Sequence, residues 1–185
     1  YFITATLGVL FNFLIFAIIY FFSKKILIHY QITNPIYLKI FKTIVIYIIP
    51  SVMSFYGLYQ GLITHVRKVK VVIPNVSRNI KICHLSDVHI GSVYKKKFIK
   101  GIVKKVKNMK PDFVVITGDL FDGTCKVDID WLSPFDDLDV PIYYITGNHE
   151  QYYGTAKALK VVEKTKIHHV LRDEPITFEN LMIYG

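Results

Sequence analysis

The sequence predicts an α/β domain preceded by two transmembrane helices, and three observations carry that expectation. Two uncharged, apolar stretches, Tyr1–Phe22 and Thr43–Thr64, occupy the N-terminal third. From Ile80 onward, short apolar runs alternate with helical patterns, the order expected of a mainly parallel sheet. Three of those runs, ending at Leu85, Thr117 and Thr146, lead directly into carboxylate, imidazole or amide side chains. Polar groups just past buried strands stand at the carboxyl edge of a sheet, where α/β proteins build their sites.

Tyr1–Phe22 is long enough to cross the roughly 30 Å hydrocarbon layer as a helix, and Ser23, Lys24 and Lys25 end it with interfacial charge. A signal peptide needs a shorter apolar core and a small-residue cleavage site, and neither is present. Residues 23–42 form the expected connecting loop. Thr43–Thr64 is the second span, set between Lys39 and Lys42 on one side and Arg67, Lys68 and Lys70 on the other. Pro50, Gly57 and Gly61 are tolerated in such spans where neighbouring helices pack against them. Lysine and arginine flank both sides, so the positive-inside pattern favours a cytoplasmic catalytic part only weakly. Residues 65–79 read as a linker, strand-like at Lys70–Ile73, with turn chemistry at Pro74, Asn75 and Ser77.

The domain is expected over 80–185, with strands at 80–85, 113–117 and 140–146. Helices are expected near 95–109, 130–138 and 154–165, and a terminal hairpin near His169–Leu171 and Ile176–Tyr184. In the first helix Phe98, Ile102, Val103, Val106 and Met109 form an apolar stripe for the core. Its other face carries Lys95, Lys96, Lys97, Lys100, Lys104, Lys105, Lys107 and Lys110 with no acid. That face is either solvated or turned to anionic lipid headgroups.

The chain has 185 residues, 52% of them apolar, and a formal net charge of +9. The first 79 residues hold eight Lys and Arg and no acid, whereas from residue 80 on the two signs nearly balance. The excess charge therefore belongs to the membrane-proximal part, and no nucleic-acid partner is expected from it. Cys83 and Cys125 have no metal-like spacing and read as free thiols. The chain starts without Met and stops after the strand-like run Leu181–Tyr184, and we expect it to be a fragment. Nothing in the sequence signals an oligomeric state.

The chemistry lies in three short blocks. Asp87 and His89 flank Val88, a spacing that lets both side chains face one cation. Gly118 allows a tight turn that exposes Asp119, whose two oxygens can bridge two cations, and Asp122 follows three residues later. Asn148 offers a neutral oxygen, and His149 a group that donates a proton near neutral pH. Oxygen and imidazole donors without thiolate suit Mn, Fe, Zn or Mg.

Asp87-x-His89, Gly118-Asp119-x-x-Asp122 and Gly147-Asn148-His149-Glu150 resemble the first three signature blocks of the calcineurin-like metallophosphoesterases. The likeness covers about residues 69–185. With the apolar spans, the chain looks most like the membrane-anchored bacterial branch near the YkuE and YaeI phosphoesterases and the UDP-2,3-diacylglucosamine diphosphatases. The resemblance implies the first half of an α/β metallophosphoesterase sandwich holding two divalent cations, with Mn, Fe or Zn favoured. It implies that Asp87 and His89 bind the first metal, Asp119 bridges both, and Asn148 binds the second. His149 would act at the substrate as general acid or phosphate stabiliser, oriented by Asp122, with Glu150 in a supporting role. The family's later histidine ligands lie beyond this chain, and the His168–His169 pair reads as surface, not as their replacement. Gly123 stands where the protein Ser/Thr phosphatases carry an Arg, which argues against a phosphoprotein substrate.

The function expected is a membrane-anchored dinuclear phosphoester hydrolase in a bacterial inner membrane. Its partners would be membrane lipid and a lipid-linked or nucleotide-sugar-lipid phosphoester or pyrophosphate. A non-catalytic membrane sensor or scaffold with a degenerate domain is the alternative. A nucleic-acid phosphodiesterase is the third reading, one that requires strongly salt-dependent binding.

Overall fold

The computed structural model of the chain describes residues 2–74, 76, 78–167 and 169–185, with side chains from residue 5 onward. Asn75 and Ser77, expected in a turn, and His168 lie outside the described residues. The chain divides into two compact units, Tyr1–Lys68 and Val69–Gly185.

In the first unit, α1 runs over Phe2–His29. Helix α2 (Pro35–Thr43) passes through a π-helical turn at Ile44–Ile48 into α3 (Ile49–Gly61). Ala5–His29 and Pro35–Gly61 are each long and apolar enough to cross a membrane. Both helices extend further than charge alone indicates, and the expected loop over 23–42 shrinks to Tyr30–Asn34. The first helix passes through its lysines because Ser23 Oγ bonds the Ile19 carbonyl at 2.7 Å. The Lys25 ammonium, meanwhile, lies 4.5 Å over the Phe21 ring. The second starts early because Asn34 is an N-cap, its Oδ1 accepting from the amides of Ile36 and Tyr37, with Pro35 in the first turn. Pro50 has no N–H to give and its ring crowds the preceding turn, which accounts for the widened π register just before it. Asn12 Nδ2 donates to Ser54 Oγ at 3.1 Å, a polar bridge between α1 and α3.

The second unit is built on strands β1 (Ile82–Leu85), β2 (Phe113–Thr117), β3 (Ile142–Ile145) and β4 (His169–Val170). They lie side by side in that order, all parallel. Side chains alternate across the sheet. Cys83, Val114, Ile116, Ile142 and Tyr144 face a core shared with α4 (Lys96–Met109) and α6 (Thr155–Val162). Phe113 and Tyr143 face the other way, against the hairpin of β5 (Ile176–Phe178) and β6 (Leu181–Ile183). The parallel α/β expectation holds, and β2 has the predicted bounds.

Four local expectations are corrected. The stretch expected as a helix at 130–138 is two 3-10 turns, Ile129–Trp131 and Ser133–Asp137, because Pro134 denies an α-helix its hydrogen bond. The helix expected at 154–165 is α6, which ends at Val162, and an unexpected helix, α5 (Asn148–Tyr153), precedes it, the two separated at Gly154 with φ +97°. His169–Val170 joins β3 in the main sheet, so the hairpin lies within Ile176–Ile183. Lys70–Ile73 forms no strand, since Val71 and Val72 find no partner face and stand exposed.

In α4, Ile99, Ile102, Val103 and Val106 are buried, while Phe98 is half-buried and stacked on Tyr94 at 4.1 Å. Parallel crossover topology runs α4 against the strands, which brings its first turn to the sheet's carboxyl edge.

Candidate metal centre

Each polar block alternates ligand-type side chains with apolar pins. Between Asp87 and His89, Val88 is buried, and Ile90 after them is wholly buried. Between Asp119 and Asp122, Leu120 and Phe121 are likewise inaccessible. The pins hold the two loops together through main-chain bonds. The His89 amide donates to the Asp119 carbonyl at 3.0 Å, Ile90 to Leu120 at 2.7 Å, and Asp122 to Ile90 at 2.9 Å. The loops after β1 and β2 are therefore one zipped unit, which fixes His89 against Asp119.

Asp87, His89 and Asp119 all adopt left-handed backbone, with φ of +54°, +51° and +50°. Such conformations are uncommon outside glycine and persist only where the surroundings enforce them. Here three candidate ligands share them, each immediately past a parallel strand. The third loop must pass close to the second, and Gly147 makes that possible. A Cβ at that position would come within 2.6 Å of the Asp119 amide and run into its carboxylate.

Glu150 ties the second and third loops. It is wholly buried, and its Oε2 accepts from the amides of Asp119 at 3.0 Å and Gly147 at 2.6 Å, while Oε1 accepts from Phe121 at 2.9 Å. These bonds match the carboxylate's charge with three main-chain donors. The Tyr144 hydroxyl is buried on the same side of the sheet. Burial first, and the nearby Glu150 charge second, push its pKa well above the ordinary tyrosine value.

His89, Asp119 and His149 converge, with one donor atom from each lying within 4.8 Å of the others. The two imidazoles meet edge to face with centroids 4.5 Å apart. The His149 amide donates to Asp119 Oδ1 at 3.0 Å, locking the start of α5 to the second loop. The His149 Nδ1 lies 2.8 Å from the Asp122 main-chain oxygen. That oxygen can only accept, so Nδ1 carries the proton and Nε2 is left for the site. The orientation of His149 by residue 122 thus comes through its carbonyl and not its carboxylate.

The Asp122 carboxylate serves the loop. It accepts from the Ser92 amide and hydroxyl at 2.7 and 3.1 Å and from the Thr124 amide at 2.8 Å. Burial pushes its pKa up, but the donors from Thr124 and Ser92 together win and hold it below the ordinary carboxylate range. Gly91 leaves the room for this, because any Cβ there would collide with the same carboxylate.

Asp87 lies at the rim, its side chain 65% exposed, with Oδ1 3.8 Å from His89 Nε2. It also accepts from the Ser86 hydroxyl. Asn148 is exposed in the first turn of α5, next to His149 in the chain. The structure gathers His89, Asp119 and His149, with Asp87 beside His89 and Asn148 preceding His149 in the first turn of α5. His84 is engaged by Thr117 Oγ1 at 2.6 Å, and His169 packs against Tyr143 in β4, so neither joins the site. The donor set is nitrogen and oxygen only. It fits a borderline or hard divalent cation of the Mn, Fe or Zn type.

The family profile described as calcineurin-like phosphoesterase matches residues 80–183, the whole of this sheet and its three loops. The chain belongs to the calcineurin-like phosphoesterase family. Among its relatives is an uncharacterised metallophosphoesterase of Campylobacter jejuni, 36% identical over 101 residues, which cover 54% of this chain and 27% of that protein. A metallophosphoesterase of Caenorhabditis elegans is 31% identical over 192 residues, covering 94% of this chain and 39% of that protein. A transmembrane protein with metallophosphoesterase domain from Bos taurus is 31% identical over 110 residues, covering 56% of this chain and 25% of that protein. The chain thus spans well under half the length of these relatives. It is a calcineurin-like phosphoesterase that carries two helices long and apolar enough to cross a membrane.

Two features escaped the reading of the sequence: the main-chain route from residue 122 to His149 and the Ser92 clasp on Asp122. The glycine two residues after His89 was the available signal for the second.

Proposed function

We propose that the protein is a membrane-anchored hydrolase of phosphoesters that works with two divalent cations. Its substrate is a lipid-linked or nucleotide-sugar-lipid phosphoester or diphosphate. The convergence of His89, Asp119 and His149 at the carboxyl edge of the sheet is the observation that carries this reading. Asp87 and His89 would hold one cation, Asp119 would serve both, and Asn148 would support the second. Bound there, the cations supply Lewis-acid neutralisation of phosphoryl oxygens and a water of lowered pKa.

The protein's own groups do the remaining work. Asp122 fixes His149 through its carbonyl, so His149 exchanges a proton only at Nε2, the nitrogen left to face the substrate. Glu150 keeps Asp119 and Gly147 in register by holding their amides. The buried pins on both loops restrict the ligands to one geometry, so little rearrangement is needed when substrate arrives.

The lipid preference rests on the apolar helices and on α4. Lys97, Lys100, Lys104 and Lys107 fall on one face at helical spacing, with no acid between them. Like charges at that spacing disfavour an isolated helix, whereas a phosphate-rich surface offsets the repulsion. Animal proteins stand among the relatives, so the proposal is for a membrane anchor as such, with the catalytic unit on the cytoplasmic side. The full-length protein in detergent, supplied with Mn, Fe or Zn, should hydrolyse a lipid-linked diphosphate faster than bis(p-nitrophenyl) phosphate. Hydrolysis of neither would sink the enzymatic reading; the reverse preference would sink the lipid part alone.

A further inference from the structure

An open groove of about 550 Å³ runs along α6, and the function proposed above makes no use of it. It lies within the second unit. Lys126, Lys157, Lys160, Tyr152 and Val161 are among its lining residues, and the lining contains no acidic residue. The sequence of α6 explains much of this surface. Positions 157, 160 and 161 fall on one side of a helix, whereas Ala158, Leu159 and Val162 fall on the other and are buried in the core. Lys126 comes from the loop after Asp122, and Tyr152 from the end of α5.

Two properties of the lining bear on what fits there. The first is charge. Among the described residues none of the three lysine side chains has a carboxylate partner, whereas Arg78 and Lys96 both do. The nearby Asp122 carboxylate is already taken up by donors from Ser92 and Thr124. The second is exposed carbon. Tyr152 stands 71% exposed and Val161 is half-buried, so apolar surface lies open beside the ammonium groups. A small inorganic anion would leave that surface in water, and an uncharged chain would leave the lysines unmatched. An anion with an apolar tail satisfies both.

We propose that the groove docks one anionic phospholipid, its phosphate among Lys126, Lys157 and Lys160 and the start of an acyl chain over Tyr152 and Val161. The site is separate from the metal centre and takes no part in the reaction. The inference rests on the membrane anchoring proposed above. A chain with two membrane-length helices keeps phospholipid at a higher local concentration than a soluble acidic partner. Each lysine near an anionic bilayer strengthens attachment severalfold, so three together amount to on the order of a hundredfold. Helix α6 also shares its core with α4, whose outward lysines already point to the same kind of surface.

Cys125 lines the groove and supplies the probe, since Cys83 is buried in the core. Full-length protein in nanodiscs would be labelled with an uncharged maleimide, in discs of phosphatidylcholine alone and in discs that also contain phosphatidylserine. Phosphatidylserine should slow the labelling of Cys125 about tenfold. Lys157→Gln/Lys160→Gln should remove that protection, and Lys157→Arg/Lys160→Arg should keep it. Unchanged thermal midpoints would show that these surface variants fold. Glycerophosphoserine, the headgroup without its chains, should give no protection when added to phosphatidylcholine discs. Labelling that ignores phosphatidylserine, protection that survives in the glutamine pair, or equal protection by glycerophosphoserine or by polyglutamate overturns the proposal. A chain that never enters the discs would sink the anchoring and this site together; one that enters and stays unprotected would sink the site alone.

Discussion

Glu150 shows how a buried charge can fix a site it does not enter. Its two oxygens take three main-chain N–H groups from two loops, and all three donors lose that acceptor once the carboxylate is gone. Orphaning buried donors costs about 1–3 kcal/mol each, so Glu150→Ala should destabilise the domain by on the order of 3 kcal/mol or more. Chemical denaturation measures this, and a loss below about 1 kcal/mol would mean the loops do not depend on it. A glycine-dependent contact stands next to this clasp. Gly147→Ala would push Asp119 off its position, so we expect the variant to fold with weaker metal retention, measured as bound metal per chain after dialysis. Retention equal to wild type would show that the Asp119 carboxylate has room to spare. The left-handed conformations of Asp87, His89 and Asp119 belong with these contacts, since the zipped loops supply the constraint that holds them.

At the scale of the element, α4 divides its work between faces. Ile99, Ile102, Val103 and Val106 anchor it to the sheet, and Lys97, Lys100, Lys104 and Lys107 face outward. Replacing those four lysines with glutamate leaves the core face untouched, so the fold should survive. Binding of the chain's domain to vesicles containing phosphatidylserine should fall steeply, with little change on neutral vesicles. Equal sedimentation of both variants with anionic vesicles would assign the face to solvent.

This helix was legible in the sequence because its period is long and regular, and β2 was legible because five apolar or β-branched residues end in a glycine. Helix α5 was not, since six residues are too few for a period to appear, and its residues Asn148 and His149 read as a strand-end loop. The early start of the second apolar helix was written in Asn34-Pro35, a capping signal that the nearby lysines outweighed. The three-loop convergence was visible as an ordered set of motifs. The bond from His149 to the Asp122 carbonyl was not, because main-chain bonding follows from loop path and leaves no trace in residue type.

In the whole molecule, the hairpin over one face of the sheet is tied to the main sheet by ions. Arg78 pairs with Asp112 at 2.8 Å and with Glu179 at 2.6 Å, while the Lys81 amide donates to Asp112 at 2.7 Å. The Lys81 amide first, and Arg78 second, hold the Asp112 carboxyl below its ordinary value. A depressed carboxyl stabilises the fold above the ordinary carboxylate range and loses that contribution as pH falls through it and below. The thermal midpoint of Asp112→Asn should therefore trail wild type at neutral pH, and the gap should close as pH drops below about 4. A gap that stays constant with pH would remove the ionic account.

The central claim, that three loops of one parallel sheet assemble a centre for divalent cations, meets its most direct test in metal analysis. The full-length protein and its Asp119→Asn variant would be dialysed against Mn, Fe or Zn, then measured for bound metal and for phosphodiester hydrolysis. Wild type should keep metal and turn over, and the variant should lose both while remaining folded. A variant that holds as much metal and hydrolyses as fast as wild type would contradict the account.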